Sequence, residues 1–202
     1  MPAGAFAVWK RGEDALSTLK QLYEEFVERA RAVGTEVHWA RGKEEARQLV
    51  GQVIKELKAT KVALAENPFL EALGLKEVVR ECGAELTSGN PREQAAQADL
   101  GISSFTLAVA ETGTIVQDAT DISARLVSML PPCHLALVPA GGLVATLREA
   151  IAFWARRGEI PGYLAFVSGP SRTADIERVL TIGVHGPARV VVIFVEEGDG
   201  EL

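Results

Sequence analysis

The sequence predicts a three-layer α/β domain built around a mostly parallel sheet. Segments with strand character alternate with segments of helical periodicity along the whole 202-residue chain, and this alternation is typical of parallel α/β folds. Several strands, such as Leu164–Val167 and residues 190–195, are apolar without alternation. That pattern is expected when other layers cover both faces of a sheet.

The first third of the chain predicts two amphipathic helices and two strands. Apolar residues recur at steps of three and four over residues 13–33 and again over 43–58, and Gly34 closes the first helix. "TEVHWA" (35–40) and "KVALAE" (61–66) are the strands. Asn67-Pro68 predicts the start of a further helix, because proline is tolerated in the first helical turn.

The middle of the chain predicts shorter elements. "AELTS" (84–88) is a weak strand, "PREQAAQAD" (91–99) a short helix, and "FTLAVAE" (105–111) and "TIVQDA" (114–119) are strands on either side of a turn at Thr112-Gly113. "SARLVSML" (123–130) predicts a short helix, which Pro131-Pro132 stop. "HLALVP" (134–139) is a buried strand.

The last third predicts two helices and two strands. "GLVATLREAIAFWARRG" (142–158) is strongly amphipathic, "YLAFVSG" (163–169) is a strand, a helix runs from about Ser171 to Ile182, and "RVVVIFVEE" (189–197) is the last strand. The expected division is an amino-terminal helical segment (1–35) packed on the domain, an α/β domain (36–197) and a polar tail (198–202).

Composition excludes several classes of protein. The chain is 48% hydrophobic, has a formal net charge of -6 and a pI near 5.2, and duplex-DNA-binding proteins present basic faces instead. Cys82 and Cys133 lack the spacing of a metal or iron–sulfur site. The first residues do not read as a signal peptide, and the run "VVVIFV" is too short for a bilayer. We expect a cytoplasmic protein with no nucleic-acid partner, no membrane span and no metal.

A polar segment after the strand at 163–169 is the first candidate site. Gly169 makes a turn with Pro170, exposed backbone N–H groups at a helix start favour an anion, and Arg172 can bind that anion with a bidentate fork. Alternatively, these side chains only cap a helix and complement its dipole. The candidate ligand-binding residues here are Ser168, Gly169, Ser171, Arg172, Thr173 and Asp175.

A second candidate surrounds "AVAETGTIV". Glu111 ends an apolar run and is followed by a turn with two hydroxyls, Thr112, Gly113 and Thr114. A carboxylate at a strand end can act as a general base or nucleophile. Equally, Glu111 can hold Arg125 or Arg172 in a structural pair, and Arg125 is included among the candidate ligand-binding residues.

His185 is the candidate acid–base histidine. It lies in "GVHGP", a turn-forming sequence just before the last strand. His134 reads as a packed, hydrogen-bonded residue, and Cys133 as an inert, partly buried thiol. The glycine patterns match neither GxGxxG nor GxxxxGK[ST], so no nucleotide-binding loop is predicted.

Three stretches carry a resemblance to a known family: "AETGTIV", "RLVSMLPPCHLALV" (125–138) and "SGPSRTADIERVLTIGVHGPARVVVIFVEE" (168–197). They resemble the LUD, or lactate-utilisation domain, family, and in particular its stand-alone protein C branch. The resemblance runs from about residue 85 to the C-terminus. It implies a fold similar to glucosamine-6-phosphate deaminase, ribose-5-phosphate isomerase and the CoA transferases.

The resemblance also implies a function. The protein C branch is similar to a component of a three-part system that oxidises L-lactate to pyruvate, in which partner subunits carry the iron–sulfur clusters. We therefore expect iron–sulfur partner subunits and no cofactor bound to this chain through a recognisable motif. We also expect a pocket at the carboxyl ends of the strands that binds a small anionic ligand or a cofactor of a partner. The alternatives are a scaffold or regulatory subunit without catalysis, and an independent enzyme acting on a phosphosugar, acyl-CoA or folate-like substrate.

One segment departs from the family pattern. Where members often carry Gly-Ile-Thr-Gly-Ala-Asp before the glutamate, this chain reads "GISSFTLAVAE". Ser103 keeps a hydroxyl, but Ser104, Phe105 and Thr106 replace the glycine, alanine and aspartate. Any role of that aspartate is therefore absent from this chain or reassigned to another residue.

Overall fold

The structure is a computed structural model that describes residues 13–158, 160–173 and 181–196. Its central sheet has six strands in the order β1-β12-β7-β4-β2-β3, and every neighbouring pair is parallel. The predicted α/β class with a mostly parallel sheet is confirmed. The strands of this sheet are β1 Thr35–Ala40, β2 Lys61–Leu64, β3 Glu85–Leu86, β4 Leu100–Ser104, β7 Cys133–Pro139 and β12 Arg189–Val195.

A second sheet of four strands and a two-stranded ribbon complete the β-structure of the described residues. The second sheet has the order β8-β5-β6-β9 and is mixed, since β6 runs antiparallel to both β5 and β9. The ribbon is the antiparallel pair β10-β11. The bounds are β5 Leu107–Val109, β6 Thr114–Asp118, β8 Leu143–Val144, β9 Leu164–Val167, β10 Arg172–Thr173 and β11 Thr181–Ile182.

Seven α-helices lie in the described residues, and side-chain caps explain where four of them start. Asn67 and Asn90 cap helices whose first residue is proline, Asp121 caps the sixth helix and Thr146 the seventh. The helices are α1 Glu13–Ala32, α2 Lys43–Leu57, α3 Pro68–Ala72, α4 Leu75–Glu81, α5 Pro91–Ala96, α6 Ile122–Met129 and α7 Leu147–Arg156.

Alternating side chains of the central strands build two cores. On one face, Leu135 of β7 and Ile193 of β12 pack against α2, α3, α4 and α6. On the other face, Val138 and Phe194 pack against α1 and one side of the second sheet. The outer side of the second sheet is covered by α7, through Ala150 and Trp154. The third layer therefore contains a small sheet as well as helices.

Most of the predicted elements are present, three of them differ, and the strand β4 is additional. The helix predicted over 142–158 begins only at Leu147, because residues 143–144 form β8 and Thr146 caps the helix. β4 was not predicted. The strand at 163–169 belongs to the second sheet, where it pairs only with β6 among the described strands and is partly exposed. A helix is predicted from Ser171 to Ile182, but the described residues at the two ends of this range form strands. Arg172 and Thr173 pair there with Ile182 and Thr181.

Some predictions fall outside the described residues. These are the first 12 residues of the predicted amino-terminal segment, the middle of the helix predicted over 171–182, and the polar tail (198–202). No helix in the described ranges is both long enough and apolar enough to cross a membrane.

A close approach between β4 and α6 fixes the distance of this helix from the sheet. A Cβ added at Gly101 would collide with the carbonyl oxygen of Val127 and lie 2.9 Å from Cγ of Pro131. Glycine is therefore required at this position for α6 to pack on the sheet.

We expect Gly101→Ala to lower the free energy of unfolding by about 2 kcal/mol, because the added methyl must push α6 away from β4. Urea denaturation followed by circular dichroism measures the loss. Gly141→Ala is the matched control, since a Cβ there meets nothing within 4 Å. It should stay within about 0.5 kcal/mol of the wild type. Equal effects of the two substitutions would contradict the close-packing argument.

Candidate functional site

Glu111 binds the start of α7. It lies in a one-turn 3-10 helix, Ala110–Thr112, and its side chain is exposed. Its Oε1 accepts a hydrogen bond from the backbone N–H of Leu147 at 2.6 Å, and its own N–H donates to the carbonyl of Ala145 at 3.1 Å. The carboxylate thus satisfies one of the free N–H groups of the α7 amino terminus. Among the described residues, no ion pair joins it to Arg125 or Arg172.

The turn after Glu111 packs against α1. Gly113 has φ +61, and a Cβ there would collide with the backbone N of Ala30. Thr112 is exposed, whereas Thr114 is buried and its hydroxyl lies 2.7 Å from that of Ser168. This hydroxyl pair joins β6 to the end of β9. The predicted turn is therefore present, and its tight contact with α1 explains the glycine.

Arg172 and its neighbours lie at the amino-terminal edge of the central sheet, which differs from the expected carboxyl edge. The guanidinium of Arg172 donates to the carbonyl of Val33 at 2.6 Å, two residues before β1 begins. Gly169 has φ +82 and packs against the same carbonyl. The physical reason is that β9 belongs to the second sheet, so the segment after it does not lie at the carboxyl ends of the central strands.

His185 lies near Ser171 in the same region. The N–H of Ser171 donates to the carbonyl of Pro187, and the carbonyl of Ser171 accepts from the N–H of Gly183. These two hydrogen bonds hold both ends of the turn that carries His185 against Ser171. The His185 side chain is exposed. Thr173 pairs with Thr181 in the ribbon. Asp175 lies outside the described residues.

Arg125 lies on α6. Its guanidinium stacks over the ring of Tyr163, 4.7 Å from the ring centre. The structure therefore brings Ser168, Thr114, Gly169, Ser171, Arg172 and the His185 turn into one neighbourhood near the end of α1. It places Glu111 at α7 and Arg125 on α6.

A cavity of about 270 Å³ lies at the carboxyl ends of β2 and β4. The start of α6, the end of β6 and the end of α7 close it from the sides. This is the position at which ligands collect in open α/β sheets. Its polar lining includes Asn67, Ser104, Gln117, Asp118, Asp121 and Arg157, with Trp154 beside them.

Two buried polar atoms in this cavity wall have no hydrogen-bond partner among the described residues. Gln117 is 4% exposed, and its Nε2 donates to the carbonyl of Ser104 at 3.1 Å, while its Oε1 accepts nothing. Trp154 is 5% exposed, and its indole N–H donates to nothing. Leaving such groups unpaired costs about 1–3 kcal/mol each. Both residues line the same cavity, and the two unpartnered atoms are themselves buried.

The charges around the cavity are mixed. Arg157 is exposed, and its guanidinium stacks 4.7 Å from the ring centre of Phe153 and 5.6 Å from that of Trp154. No carboxylate of the described residues forms an ion pair with it. Asp118 and Asp121 each accept a backbone N–H, from Thr120 and Ser123 respectively. Glu66 adds a third carboxylate.

A second cavity of about 410 Å³ continues along the same edge toward β3. It shares Ala65 and Glu66 with the first cavity. Its lining combines the apolar Leu70, Leu75 and Leu86 with charged residues that include Glu71 and Lys76. The carboxyl edge therefore carries a trough of two neighbouring cavities, both with mixed linings.

Sequence reasoning missed Gln117, Trp154 and Arg157. Gln117 is the polar residue inside the strand "TIVQD", which was the available sign. Trp154 falls on the apolar stripe of its amphipathic helix, where a tryptophan is expected to serve packing. Arg157 is one of two adjacent arginines at the end of that helix, and the sequence does not distinguish them.

A buried pair joins β4 to β7 on the α1 side of the sheet. The hydroxyl of Ser103 lies 2.9 Å from Nε2 of His134, and both residues are fully buried. Nδ1 of His134 has no partner in the described chain. Burial lowers the pKa of His134 to about 4 and raises the pKa of the neighbouring Cys133 thiol to about 11. The imidazole is therefore neutral and the thiol protonated at pH 7.

The fold and the trough define an α/β protein with a ligand-sized cavity at the carboxyl edge of a parallel sheet. The model of the LUD domain family matches residues 23–195. This chain belongs to the LUD domain family. No group of three or more His, Cys, Asp or Glu side chains that could hold a metal ion occurs within the described ranges.

Two relatives and one solved structure are similar to this chain. Lactate utilization protein C of Halalkalibacterium halodurans is 35% identical over 158 residues, which span 74% of this chain and 69% of that protein. Lactate utilization protein C 1 of Bacillus mycoides is 32% identical over 188 residues, or 88% of this chain and 80% of the relative. The crystal structure of a DUF162 family protein from Deinococcus radiodurans shares the fold, with a TM-score of 0.62 and 21% identity over 88% of this chain and 98% of that one.

We expect Glu111→Ala to lower the free energy of unfolding by about 1 kcal/mol, because Leu147 N–H loses its acceptor. Glu111→Gln keeps an acceptor oxygen but loses the negative charge at the helix start. It should therefore lower the free energy of unfolding by about half as much as Glu111→Ala. Urea denaturation measures both values. Glu28→Ala, an exposed glutamate on α1, is the control and should have no effect. Wild-type stability of both Glu111 variants would show that this contact is unimportant for folding.

The buried His134 makes stability depend on pH. Its pKa is about 4 in the folded chain and about 6.5 when unfolded. Between these values the unfolded chain binds a proton that the folded chain excludes. The free energy of unfolding therefore decreases as the pH falls, and His134 accounts for a loss of about 2 kcal/mol between pH 7 and pH 5.

The double variant Ser103→Ala/His134→Leu removes this titrating group together with its partner. Denaturation curves at pH 7, 6 and 5 should show the pH dependence reduced by about 2 kcal/mol relative to the wild type. His185→Asn, which changes an exposed histidine, should keep the wild-type dependence. If the free energy of unfolding of the double variant falls with pH as steeply as that of the wild type, His134 is protonated in the folded state without cost.

Proposed function

We propose that this chain serves in lactate utilisation, as the component of an L-lactate-oxidising system that carries no iron–sulfur cluster itself. The proposal is supported by its likeness to the lactate utilization protein C of two species, whose sequences it matches over 69% and 80% of their length. In this proposal, the clusters reside on partner subunits.

The cavity between β4, β6 and α7 is the proposed site for a small 2-hydroxy acid. The observation that carries this assignment is the pair of buried, unpartnered atoms, Oε1 of Gln117 and the indole N–H of Trp154. A 2-hydroxy acid has a hydroxyl that donates to Gln117 and a carboxylate that accepts from Trp154. Arg157 provides the positive charge for the same carboxylate.

The carboxylates of the cavity favour a monoanion over a phosphate. Glu66, Asp118 and Asp121 line the same space as Arg157. Coulomb repulsion scales with the charge of the ligand, so a phosphate dianion is repelled about twice as strongly as a monocarboxylate. The cavity therefore gives less support to a phosphosugar substrate, the main alternative among enzymes of similar fold.

Isothermal titration calorimetry tests the binding site. We expect L-lactate to bind the wild type, Trp154→Phe to lower the affinity about tenfold by removing one hydrogen bond, and Arg157→Gln to lower it further. Arg156→Gln is the matched control, because the neighbouring Arg156 donates to the carbonyl of Ala152 within its own helix. It should change the affinity by less than about twofold.

Two results would contradict the site. One is binding of L-lactate that is equally strong in the wild type and in both cavity variants. The other is tighter binding of glucose 6-phosphate than of L-lactate, which would favour the phosphosugar alternative.

A genetic experiment tests the role in lactate utilisation. Deletion of the gene should abolish growth on L-lactate while growth on glucose remains normal. A plasmid copy of the wild type or of Arg156→Gln should restore growth, and a copy of Arg157→Gln should not. Normal growth of the deletion strain on L-lactate, with normal lactate-dependent electron transfer, would overturn the proposal. Restoration by Arg157→Gln would favour a scaffold role.

A further inference from the structure

A buried glutamine in the wall of the cavity at the carboxyl ends of β2 and β4 has a fixed amide orientation. Gln117 is 4% exposed, and its Nε2 donates to the backbone carbonyl of Ser104 at 3.1 Å. A backbone carbonyl only accepts hydrogen bonds, so the nitrogen of the amide must face it, and the reversed amide would bring two oxygen atoms together. Oε1 of Gln117 is therefore the atom left as an acceptor, and no donor of the described residues satisfies it.

An unpaired acceptor is costly in this surrounding. The residues before Gln117 in β6, Ile115 and Val116, are apolar and buried, and a buried oxygen without a hydrogen bond destabilises the fold. An apolar side chain of similar length, such as methionine, would avoid that cost. Because Gln117 also lines the cavity of about 270 Å³, a molecule that enters the cavity can supply the missing donor.

We propose that Gln117 makes the cavity selective for a 2-hydroxy acid over the corresponding 2-oxo acid, its oxidised form. This inference rests on the proposed function, since it concerns the same site. The hydroxyl of a 2-hydroxy acid donates to Oε1 of Gln117, whereas the carbonyl oxygen of a 2-oxo acid places a second acceptor against it. A site discriminates strongly against a ligand that leaves one of its buried polar groups unpaired.

The wall around Gln117 has side chains small enough for this contact. Ser104 and Thr106 line the cavity next to it, Ser104 through its bond to Nε2 and Thr106 through its N–H, which donates to the carbonyl of Val116. Both carry short hydroxyl side chains that are half-buried. In this proposal, rotation of these side chains about one bond admits the ligand to the buried oxygen. The hydrogen bond then forms away from bulk water, where it is stronger.

The other polar residues of the cavity treat the two acids alike. Both acids have the same carboxylate, so Trp154 and Arg157, its proposed partners, contribute equally to the binding of each. Both are monoanions, so repulsion by Asp118 and Asp121 is also equal. The difference in affinity is therefore assigned to Gln117. The site retains the acid before its oxidation and releases it afterwards.

A ligand series on the wild-type chain tests the requirement for a donor. Isothermal titration calorimetry compares L-lactate and glycolate, which carry a hydroxyl, with pyruvate and (S)-2-methoxypropionate, which carry an oxygen without a hydrogen. We expect L-lactate to bind at least about tenfold more tightly than pyruvate or the methyl ether. Glycolate lacks only a methyl group and should bind within about fivefold of L-lactate. Pyruvate or methyl ether binding as tightly as L-lactate would overturn the inference.

Gln117→Met tests the assignment to this residue. The variant keeps the length of the side chain and removes the acceptor, so the affinity for L-lactate should fall about tenfold while that for pyruvate changes by less than about threefold. Trp154→Phe should weaken both acids by the same factor. Gln52→Met makes the same change at an exposed position of α2. It is the control and should change neither affinity by more than about twofold.

The alternative is that Gln117 serves only to join β6 to the end of β4. Gln117→Met would then lower the melting temperature and leave the ratio of the two affinities unchanged, which would overturn the inference. If Gln117→Met does not fold, the ligand series on the wild type decides alone, because it needs no substitution.

Failure of this inference is distinguishable from failure of the proposed function. If L-lactate binds without preference over pyruvate and the deletion strain does not grow on L-lactate, only the selectivity is overturned. If neither acid binds the wild type, the proposed binding site is wrong and the inference falls with it. Tighter binding of pyruvate than of L-lactate, lost in Gln117→Met, would mean that this glutamine selects the opposite form and would also overturn the inference.

Discussion

The pairing of β7 with β12 is the interaction on which the rest of the fold depends. Seven consecutive residue pairs, from Arg189↔Cys133 to Val195↔Pro139, join the two strands in parallel. All seven residues of β7 and six of the seven in β12 are buried. A strand pair that is apolar on both faces is stable only when both faces are covered. This constraint requires helices on one face, and α1 with the second sheet on the other.

The amino-terminal edge of the central sheet is held by short polar contacts. Arg189 forms a bidentate pair with Glu36 at 2.6 and 2.7 Å, which joins β12 to β1 and lowers the pKa of that carboxyl. Asp99 accepts the N–H groups of Lys61 and Thr60, which joins β4 to β2, and these bonds lower the pKa of Asp99. These charged side chains are engaged in structure. Among the described residues, unpartnered buried atoms occur at both edges, on Thr35 at the amino-terminal edge and on Gln117 and Trp154 at the carboxyl edge.

The elements that the sequence predicts correctly are those in which the local pattern and the tertiary environment agree. α1 and α2 have long apolar stripes, and β7 and β12 are continuous apolar runs. β4 was missed because Gly101, Ser103 and Ser104 have low strand propensity; their place is set by α6 packing on Gly101 and by the bond from Ser103 to His134. Ser171 and Thr173 carry hydroxyls typical of a helix start, yet Arg172 and Thr173 pair with Ile182 and Thr181.

The predicted site residues illustrate a second limit of sequence reasoning. Arg172 follows an apolar strand, and that order suggests the carboxyl edge of a parallel sheet. Which sheet a strand joins is determined by long-range pairing, and β9 pairs with β6. The relevant polar atoms of the carboxyl edge come from β6 and α7, which are far apart in sequence. Their convergence depends on how the second sheet packs on the first, and no local motif encodes it.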